Sequence, residues 1–300
     1  MRLRVLHTTQ YRYQSAVVQA QHLAHLRPLD LLGQTVQSHH LSITPQPSHS
    51  TVSTDAFGNW RLFFALQEPH EELLVAADSL VDTGPPKPTE TAHHTPWEVL
   101  RDQMLYRAQA PFCAASEFVY ASPYVPRSDT FADLARPLFT PKRSVLEACT
   151  DLMGQLHRDL VYETASTGVN TPALEALAQG KGVCQDFAHI MIGCLRSLGL
   201  PARYVSGYLL TQPPEGQPRL IGADASHAWV SVYAGGDWHD FDPTNNRWGT
   251  GRPGEDYITL TWGRDFGDVS PLRGVIQGGS AHQLSVGVTV APPDAFPASA

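Results

Sequence analysis

The chain has 300 residues, a formal net charge of −8 and a pI near 5.9, and 42% of its residues are hydrophobic. This composition is typical of a globular protein with one large domain or two ordinary ones. The acidic balance and the lack of a basic run exclude nucleic acid as an expected partner.

We expect a cytoplasmic protein with no membrane partner. The first residues contain no apolar signal core, and no apolar run is long enough to cross a bilayer. The four cysteines form no Cys-x-x-Cys pair, so the sequence predicts neither a disulfide framework nor a cysteine zinc site. The oligomeric state is left open.

Residues 1–81 are predicted to form a small β-sandwich-like domain. Short runs of alternating apolar and polar residues recur there, as in Leu3–Thr8 and Trp60–Leu66, and turn signals such as Asp55–Asn59 separate them. Residues 82–96 are rich in proline and polar side chains and are predicted to be a linker.

Residues 97–290 are predicted to form one α+β domain, in which helices come first and antiparallel strands follow. Apolar residues recur at helical spacing up to about Leu160, and further helices are predicted after Thr171-Pro172 and over Cys184–Leu198. The predicted strands are 202–210, 225–233, 237–242, 257–260, 274–277 and 284–290. Residues 291–300 are predicted to be a frayed tail.

The sequence around Cys184 predicts a reactive thiol. Gly180 and Gly182 precede the predicted helix, and their backbone freedom would let a substrate carbonyl approach closely. A helix N-terminus favours the thiolate, and the first free amides of the helix can stabilise an oxyanion. The other three cysteines are predicted to be structural.

His227 and Asp242 complete a predicted thiol triad. Alternation puts His227 and Trp229 on one face of their strand, and Asp242 ends the next strand, just before Pro243. A nearby imidazole can take the thiol proton, and a carboxylate can orient that imidazole. Asp240 shares the face of Asp242 and is a rival, but the strand end before a rigid proline favours Asp242.

Two alternatives to a thiol enzyme remain open. A metal-dependent hydrolase could use His227, His239 and nearby carboxylates, although the chain lacks a helical His-x-x-x-His pair. A binding protein could keep all three triad residues in an idle core.

On the helix of Cys184, Asp186 and His189 are predicted to form a local pair, or Asp186 to compensate the helix dipole.

Several segments of the chain resemble the transglutaminase-like superfamily, and above all its bacterial branch with a β-rich N-terminal domain. The matching segments are Gly182–His189, Gly199–Tyr208, Ala225–Trp229, Phe241–Asn245, Gly263–Pro271, His7–Tyr13, Arg27-Pro28 and Asp55–Asn59. The resemblance extends over roughly residues 1–275, and the segments together are more specific than any single short motif.

The resemblance implies a papain-like core without metal or organic cofactor. It implies Cys184 as nucleophile, His227 as general base and then acid, and Asp242 as its orienting partner. Members of the superfamily include crosslinking transferases, peptidases, amidases and proteins that have lost activity. We expect a peptidase or amidase that acts on a peptide, protein or γ-glutamyl amide, with a protein-glutamine transglutaminase as the alternative.

The rest of the expected cleft comes from loops and one aromatic residue. Thr211–Ile221 and Thr244–Glu255 are loop-like and are predicted to be its rims, where access of water or an amine to a thioester is decided. Tyr162 is the nearest candidate for a second oxyanion donor.

Overall fold

The computed structural model describes residues 1–85, 95–109, 111–164, 166–211 and 226–296. Most of the predicted linker 82–96, most of the predicted rim 211–221 and the last residues of the predicted tail lie outside the described residues. Within the described ranges, no helix is both long enough and apolar enough to cross a bilayer.

The N-terminal part of the chain is a β-rich unit built on one long strand, as predicted. Its strands are β1 (Arg2–Ala24), β2 (Gln34–Thr44), β3 (His49–Thr54), β4 (Trp60–Leu66) and β5 (His70–Thr83). They are ordered β2-β5-β1-β4-β3 in the sheet. The first half of β1 pairs with β5 and its second half with β4. Apolar side chains of β1, β4 and β5 share one core, because alternate residues of each strand point inward.

The middle of the chain confirms the predicted α+β class. Its helices are α1 (Trp97–Gln103), α2 (Asp129–Ala135), α3 (Val145–Asp159), α4 (Ala173–Gln179), α5 (Cys184–Ser197) and α6 (Phe266–Val269), with a 3-10 turn at Ala114–Val119. Its strands are β6 (Val161–Tyr162), β7 (Lys181–Gly182), β8 (Ala202–Leu209), β9 (His227–Ala234), β10 (Asp237–Asp242), β11 (Arg247–Thr250) and β12 (Tyr257–Gly263).

Strands β8 to β12 form an antiparallel sheet in the order β11-β10-β9-β8-β12. Helix α5 packs on β8 and β9, and the apolar side chains of both strands that face it are buried with the helix in the largest core. The short strands β6 and β7 pair in parallel beside the start of α5. This packing holds the first turn of α5 in place.

The pairing of the last two strands differs from the predicted grouping of residues 97–290 into one domain. Strand β13 (Leu272–Gly278) pairs with the second half of β1, and β14 (His282–Ala291) pairs with its first half. Ala291 is fully buried, so the predicted frayed tail does not begin there. Periodicity identifies a strand but not its partner, and pairing between the two ends of a chain leaves no local signal.

Two buried amide side chains join the two units along β12, the edge strand of the second sheet. Gln34 donates to the Thr259 carbonyl and accepts from the Thr259 amide, both at 2.8 Å. Asn59 forms the same reciprocal pair with Trp262, at 2.7 and 2.9 Å. An edge strand carries unpaired backbone groups that need partners, and these amides supply them.

Arg196 ties the end of α5 to the sheet. Its buried guanidinium donates at 2.6–3.1 Å to Ser122 Oγ and to the backbone oxygens of Phe118, Ala202 and Arg264. Burial lowers the pKa of Arg196 to about 10, so the group stays charged at neutral pH. A buried cation is tolerated when its donors meet acceptors, and here they do.

We predict that Arg196→Lys lowers the free energy of unfolding by about 2–4 kcal/mol, because an ammonium group cannot reach the acceptors that the guanidinium fork serves. Urea unfolding followed by circular dichroism measures the change. Arg136→Lys, at an exposed position, is the matched control and should unfold like the wild type. Equal stability of both variants would contradict the role assigned to Arg196.

Candidate active site

Cys184 is the first residue of α5, and a buried carboxylate fixes the backbone around it. Asp186 Oδ2 accepts from the Val183 backbone N–H at 2.8 Å and from Thr167 Oγ1 at 2.6 Å. The carboxylate therefore satisfies one of the free donors of the helix start and places a negative charge at the positive end of the helix dipole. This is the dipole role that the sequence predicts for Asp186. The Cys184 side chain is partly exposed.

The two glycines before Cys184 also have local packing reasons. A side chain at Gly182 would lie 2.7 Å from Asp186 Cβ and Oδ2, which is closer than real contacts allow. Gly180 ends α4 with a φ of +67°, a conformation that favours glycine. Both glycines hold the turn that leads into α5.

His227 begins β9 and is bonded to Asp242 at the end of β10. The distance from His227 Nε2 to Asp242 Oδ2 is 2.7 Å, and this contact confirms the predicted geometry of the pair. The register explains it, because Phe241 lies opposite Val230 and Asp242 is therefore a diagonal neighbour of His227. The bond occupies Nε2 and leaves Nδ1 as the ring nitrogen for a contact with sulfur.

The Asp242 carboxylate is fully buried and accepts hydrogen bonds on both oxygens. Besides the bond from His227, Oδ2 accepts from Tyr257 Oη and Asn245 Nδ2, each at 2.7 Å. Oδ1 accepts from the backbone amides of Thr244 at 2.9 Å and Asn245 at 3.2 Å. Sequence reasoning missed Tyr257 and Asn245. The Asp-Pro-Thr-Asn turn was a signal for Asn245, whereas nothing local pointed to Tyr257.

Asp240, the rival of Asp242 in the sequence, is bonded to Trp229 and not to His227. It lies opposite Ser231 in the ladder, and its Oδ2 accepts from Trp229 Nε1 at 2.8 Å. The fully buried indole of Trp229 crosses β8 at Gly207, where a Cβ would lie 2.4 Å from the ring. The position of Trp229 thus depends on Gly207 and keeps Asp240 away from His227.

Charge favours an imidazolium at His227. Burial is the largest influence and lowers the pKa of His227, but hydrogen bonds with Asp242 and Cys184 outweigh it and raise that pKa to about 10. For Asp242, burial alone would raise the pKa, whereas the bonds from His227, Asn245 and Tyr257 hold it below its ordinary value. The pair is therefore held as carboxylate and imidazolium, with the sulfur of Cys184 beside the ring.

Cys184 and His227 line a cleft of about 470 Å³ between the two units. The α+β unit that carries both residues, called the catalytic unit below, contributes the start of α5 together with residues of β8 and β9. The N-terminal sheet supplies another wall, with His7, Thr9 and Tyr11 of β1 and Leu284 and Val286 of β14. The sequence did not predict this wall, because it depends on the pairing of β14 with β1.

Tyr162 lies in the cleft, as its role as a candidate donor requires. Tyr162 in β6 pairs with Gly182 in β7, and half of the tyrosine surface is exposed. Burial and the charge of Cys184 raise the pKa of its hydroxyl, so the group is a neutral donor at neutral pH. Of the predicted rims, 244–255 contains strand β11 and pairs with β10, and 211–221 falls mainly outside the described residues.

Two other histidines that the sequence singled out are separate from the pair. His189 accepts from the Phe266 amide at 3.2 Å, and burial lowers its pKa to about 3, so it does not pair with Asp186. His239 contacts Thr250 Oγ1 and the Ala234 carbonyl, on the face of β10 opposite Asp242. Within the described part of the chain, no cluster of three His, Cys, Asp or Glu side chains is arranged to hold a metal ion.

Comparison with known families matches two regions of the chain. Residues 3–82 match the bacterial transglutaminase-like N-terminal region, and residues 132–243 match the transglutaminase-like superfamily. The second region contains Cys184, His227 and Asp242. The chain therefore belongs to the transglutaminase-like superfamily and carries the N-terminal region of its bacterial members.

Relatives and a solved structure agree with this assignment. The uncharacterized protein Rv2569c of Mycobacterium tuberculosis is 39% identical over 97% of this chain and 93% of its own length. The uncharacterized protein ML0607 of Mycobacterium leprae is 33% identical over 96% of this chain and 98% of its own length. A crystal structure from Cytophaga hutchinsonii, named "Putative Cysteine Protease", has a TM-score of 0.73 at 20% identity and covers 98% of this chain and 91% of its own. It has the same fold.

We predict a pH-dependent contribution of His227 to stability. Its pKa in the folded protein, about 10, lies above the ordinary value of 6.5. The stabilisation is therefore fully present below about pH 6.5 and is lost as the pH rises through about 10. Urea unfolding of the wild type and of His227→Gln across this range should give a stability difference that shrinks with rising pH. His40→Gln, on an exposed part of β2, is the control, and a difference that stays constant would contradict the imidazolium.

Proposed function

We propose that the protein is a thiol-dependent acyl-transfer enzyme that hydrolyses amide or peptide bonds. The observation that carries the proposal is the Asp242–His227 pair beside Cys184, at the first turn of α5 and in an open cleft. Membership of the transglutaminase-like superfamily supports it, and so does the printed name of the Cytophaga hutchinsonii protein.

The acylation step uses the three residues in turn. In the resting pair the proton of Cys184 already lies on His227, and the thiolate sulfur attacks the amide carbonyl carbon to form a C–S bond. The tetrahedral intermediate collapses as the C–N bond breaks, and His227 donates its proton to the leaving amine. Asp242 keeps the imidazole oriented throughout. The product of this half-reaction is a thioester and a free amine.

The second half-reaction releases the acyl group. Water attacks the thioester carbon and gives a proton to the now neutral His227, and the C–S bond breaks to leave the Cys184 thiolate beside the imidazolium. A carboxylic acid is released and the resting enzyme is restored. An amine that replaces water would instead form a new amide, which is the transglutaminase reaction.

The donors that we propose for the oxyanion are the first amides of α5 and one tyrosine hydroxyl. The amides of Cys184 and Gln185 are in the first turn of α5, where a helix leaves its donors free. The Gln185 side chain is not available, because its Nε2 donates to the Val169 carbonyl at 2.9 Å. We assign the second donor to the Tyr162 hydroxyl, which lines the same cleft.

The substrate that we propose is a peptide, a protein segment or a γ-glutamyl amide. Of the five residues in the cleft wall from β1 and β14, three are aromatic or aliphatic and two are polar, which suits an extended amide-bearing chain more than a charged small molecule. A screen of peptide, isopeptide and γ-glutamyl amides, with and without added amine, distinguishes the reactions. Ammonia with acid indicates an amidase, a cleaved peptide indicates a peptidase, and amine incorporation would replace hydrolysis with transfer.

We predict that iodoacetamide labels Cys184 fastest among the four cysteines near neutral pH, because an imidazolium beside a thiol favours the reactive thiolate. Cys149 and Cys194 are buried, and burial raises the pKa of both thiols. Cys113 is partly exposed and is the internal control. Peptide mapping gives the rates. Labelling of Cys184 no faster than Cys113 would favour an idle, non-catalytic core, as would undiminished turnover in Cys184→Ala.

We also predict that the two neighbouring aspartates differ in their effect on the thiol. Asp242→Asn removes the charge that holds His227 as an imidazolium and should slow both alkylation of Cys184 and turnover by roughly a hundredfold. Asp240→Asn keeps an acceptor for Trp229 and should leave both rates near those of the wild type. Circular dichroism checks that each variant is folded. A larger loss in Asp240→Asn would reverse the assignment.

A further inference from the structure

A second cavity of about 770 Å³ lies away from the catalytic cleft and is larger than it. It opens between the β3–β4 turn of the N-terminal unit, near Phe57, and the segment 112–118 of the catalytic unit. Among the described residues, the two cavities share no lining side chain. The cavity lies on the sheet face that carries His227 and Asp242, but at the other end of the strands.

Arg203 of β8 lines this cavity and is buried to nine-tenths of its surface. Its guanidinium donates to no acceptor in the described parts of the chain, and its Nε is a buried atom without a partner. The two other strongly buried arginines behave differently. Arg196 serves four acceptor residues, and Arg252 donates to the carbonyls of Gly33 and Gly84 and to Gln34.

A buried cation without acceptors is costly, and most buried polar groups in proteins have a partner. Burial lowers the pKa of Arg203 to about 9, against a smaller opposing effect of the charge of Asp240, so the guanidinium remains charged at neutral pH. A charged fork of donors that faces a cavity without an acceptor is a feature expected of a binding site.

Two indole rings fix the plane of this guanidinium. Its central carbon lies 4.0 Å from the ring centre of Trp238 and 3.9 Å from that of Trp262, so both faces are covered. Trp262 is held in turn by a 2.8 Å bond from its Nε1 to the Phe57 carbonyl. Trp238 packs edge-on against Phe118, with ring centres 5.4 Å apart. Only the edge of the guanidinium plane remains for a ligand, and that edge suits a planar, bidentate acceptor.

The other walls are mainly apolar and aromatic. Phe57 and Phe118 lie with ring centres 5.5 Å apart, and Phe112 lies at the mouth with 77% of its surface exposed. Arg264 also lines the cavity, but its guanidinium is already paired, because it donates to both oxygens of Asp268 at 2.8 and 2.9 Å. Glu117 also lines the cavity but is exposed.

We propose that this cavity binds a carboxylate attached to an aromatic body, with the carboxylate against the edge of Arg203 and the ring among the phenylalanines. The charge and planarity of a carboxylate match the guanidinium edge, and an aromatic body matches the walls. The site is independent of the proposed thiol chemistry, since Cys184 and His227 lie in the other cavity.

N-acetylphenylalanine is the probe, and titration calorimetry with the full-length Cys184→Ala protein excludes turnover. The acid is expected to bind at least about tenfold more tightly than N-acetylphenylalanine amide, which lacks the charge, and than N-acetylglycine, which lacks the ring. The indole N–H resonances of Trp238 and Trp262 should shift on binding. Equal binding of acid and amide, or no heat of binding, would overturn the proposal.

Two variants locate the binding. Arg203→Met should weaken binding of N-acetylphenylalanine at least about tenfold, whereas Arg158→Met, at an exposed position on α3, should not. If Arg203→Met does not fold, Phe112→Ala tests the same site, because its exposed ring does not support the core; it should weaken binding several-fold. Full affinity in the folded variants would overturn the proposal. A peptide that ends in phenylalanine and binds more tightly than the free acid identifies a peptide C-terminus as the source, and equal binding identifies a free acid.

Discussion

The buried carboxylate of Asp242 is the constraint around which the catalytic end of the sheet is organised. A carboxylate without solvent is stable only when donors surround it, and the three side-chain donors to Asp242 come from different elements. His227 comes from the start of β9, Tyr257 from the start of β12, and Asn245 from the turn before β11. Three strands and one turn must therefore be in register before the charge is satisfied. Of these bonds, the one between Asp242 and His227 also raises the pKa of His227, together with the contact to Cys184, so the fold and the protonation state of the site share that bond.

The features that the sequence predicts well are those with local causes. The start of α5 at Cys184 follows from helical periodicity and from the glycines that precede it. The faces of His227 and Asp242 follow from alternation along their strands. From the sequence, the only reason to prefer Asp242 over Asp240 was its position at the strand end, before a proline. In the structure the register decides it, because Asp240 lies opposite Ser231, too far along the ladder to reach His227.

The features that the sequence could not predict are non-local. Nothing near residue 284 indicates that β14 pairs with β1, yet that pairing supplies one wall of the catalytic cleft. The glycine at position 207 reads as an ordinary strand residue until the indole of Trp229 is seen to cross it. Arg203 reads as one more basic residue in a strand, and its significance lies in two tryptophans that are distant in sequence. Each depends on tertiary contacts, which periodicity and turn chemistry do not encode.

The N-terminal unit contributes walls to both cavities, and it is attached to the other unit along the edge of β12. Gln34 and Asn59 pair with the backbone of that strand, so they set how closely the two units approach. The catalytic cleft uses β1 and β14 from the N-terminal sheet, and the second cavity uses Phe57 from the adjacent turn. The N-terminal unit therefore contributes a wall to each cavity, and a catalytic unit cut free of it would lose both walls.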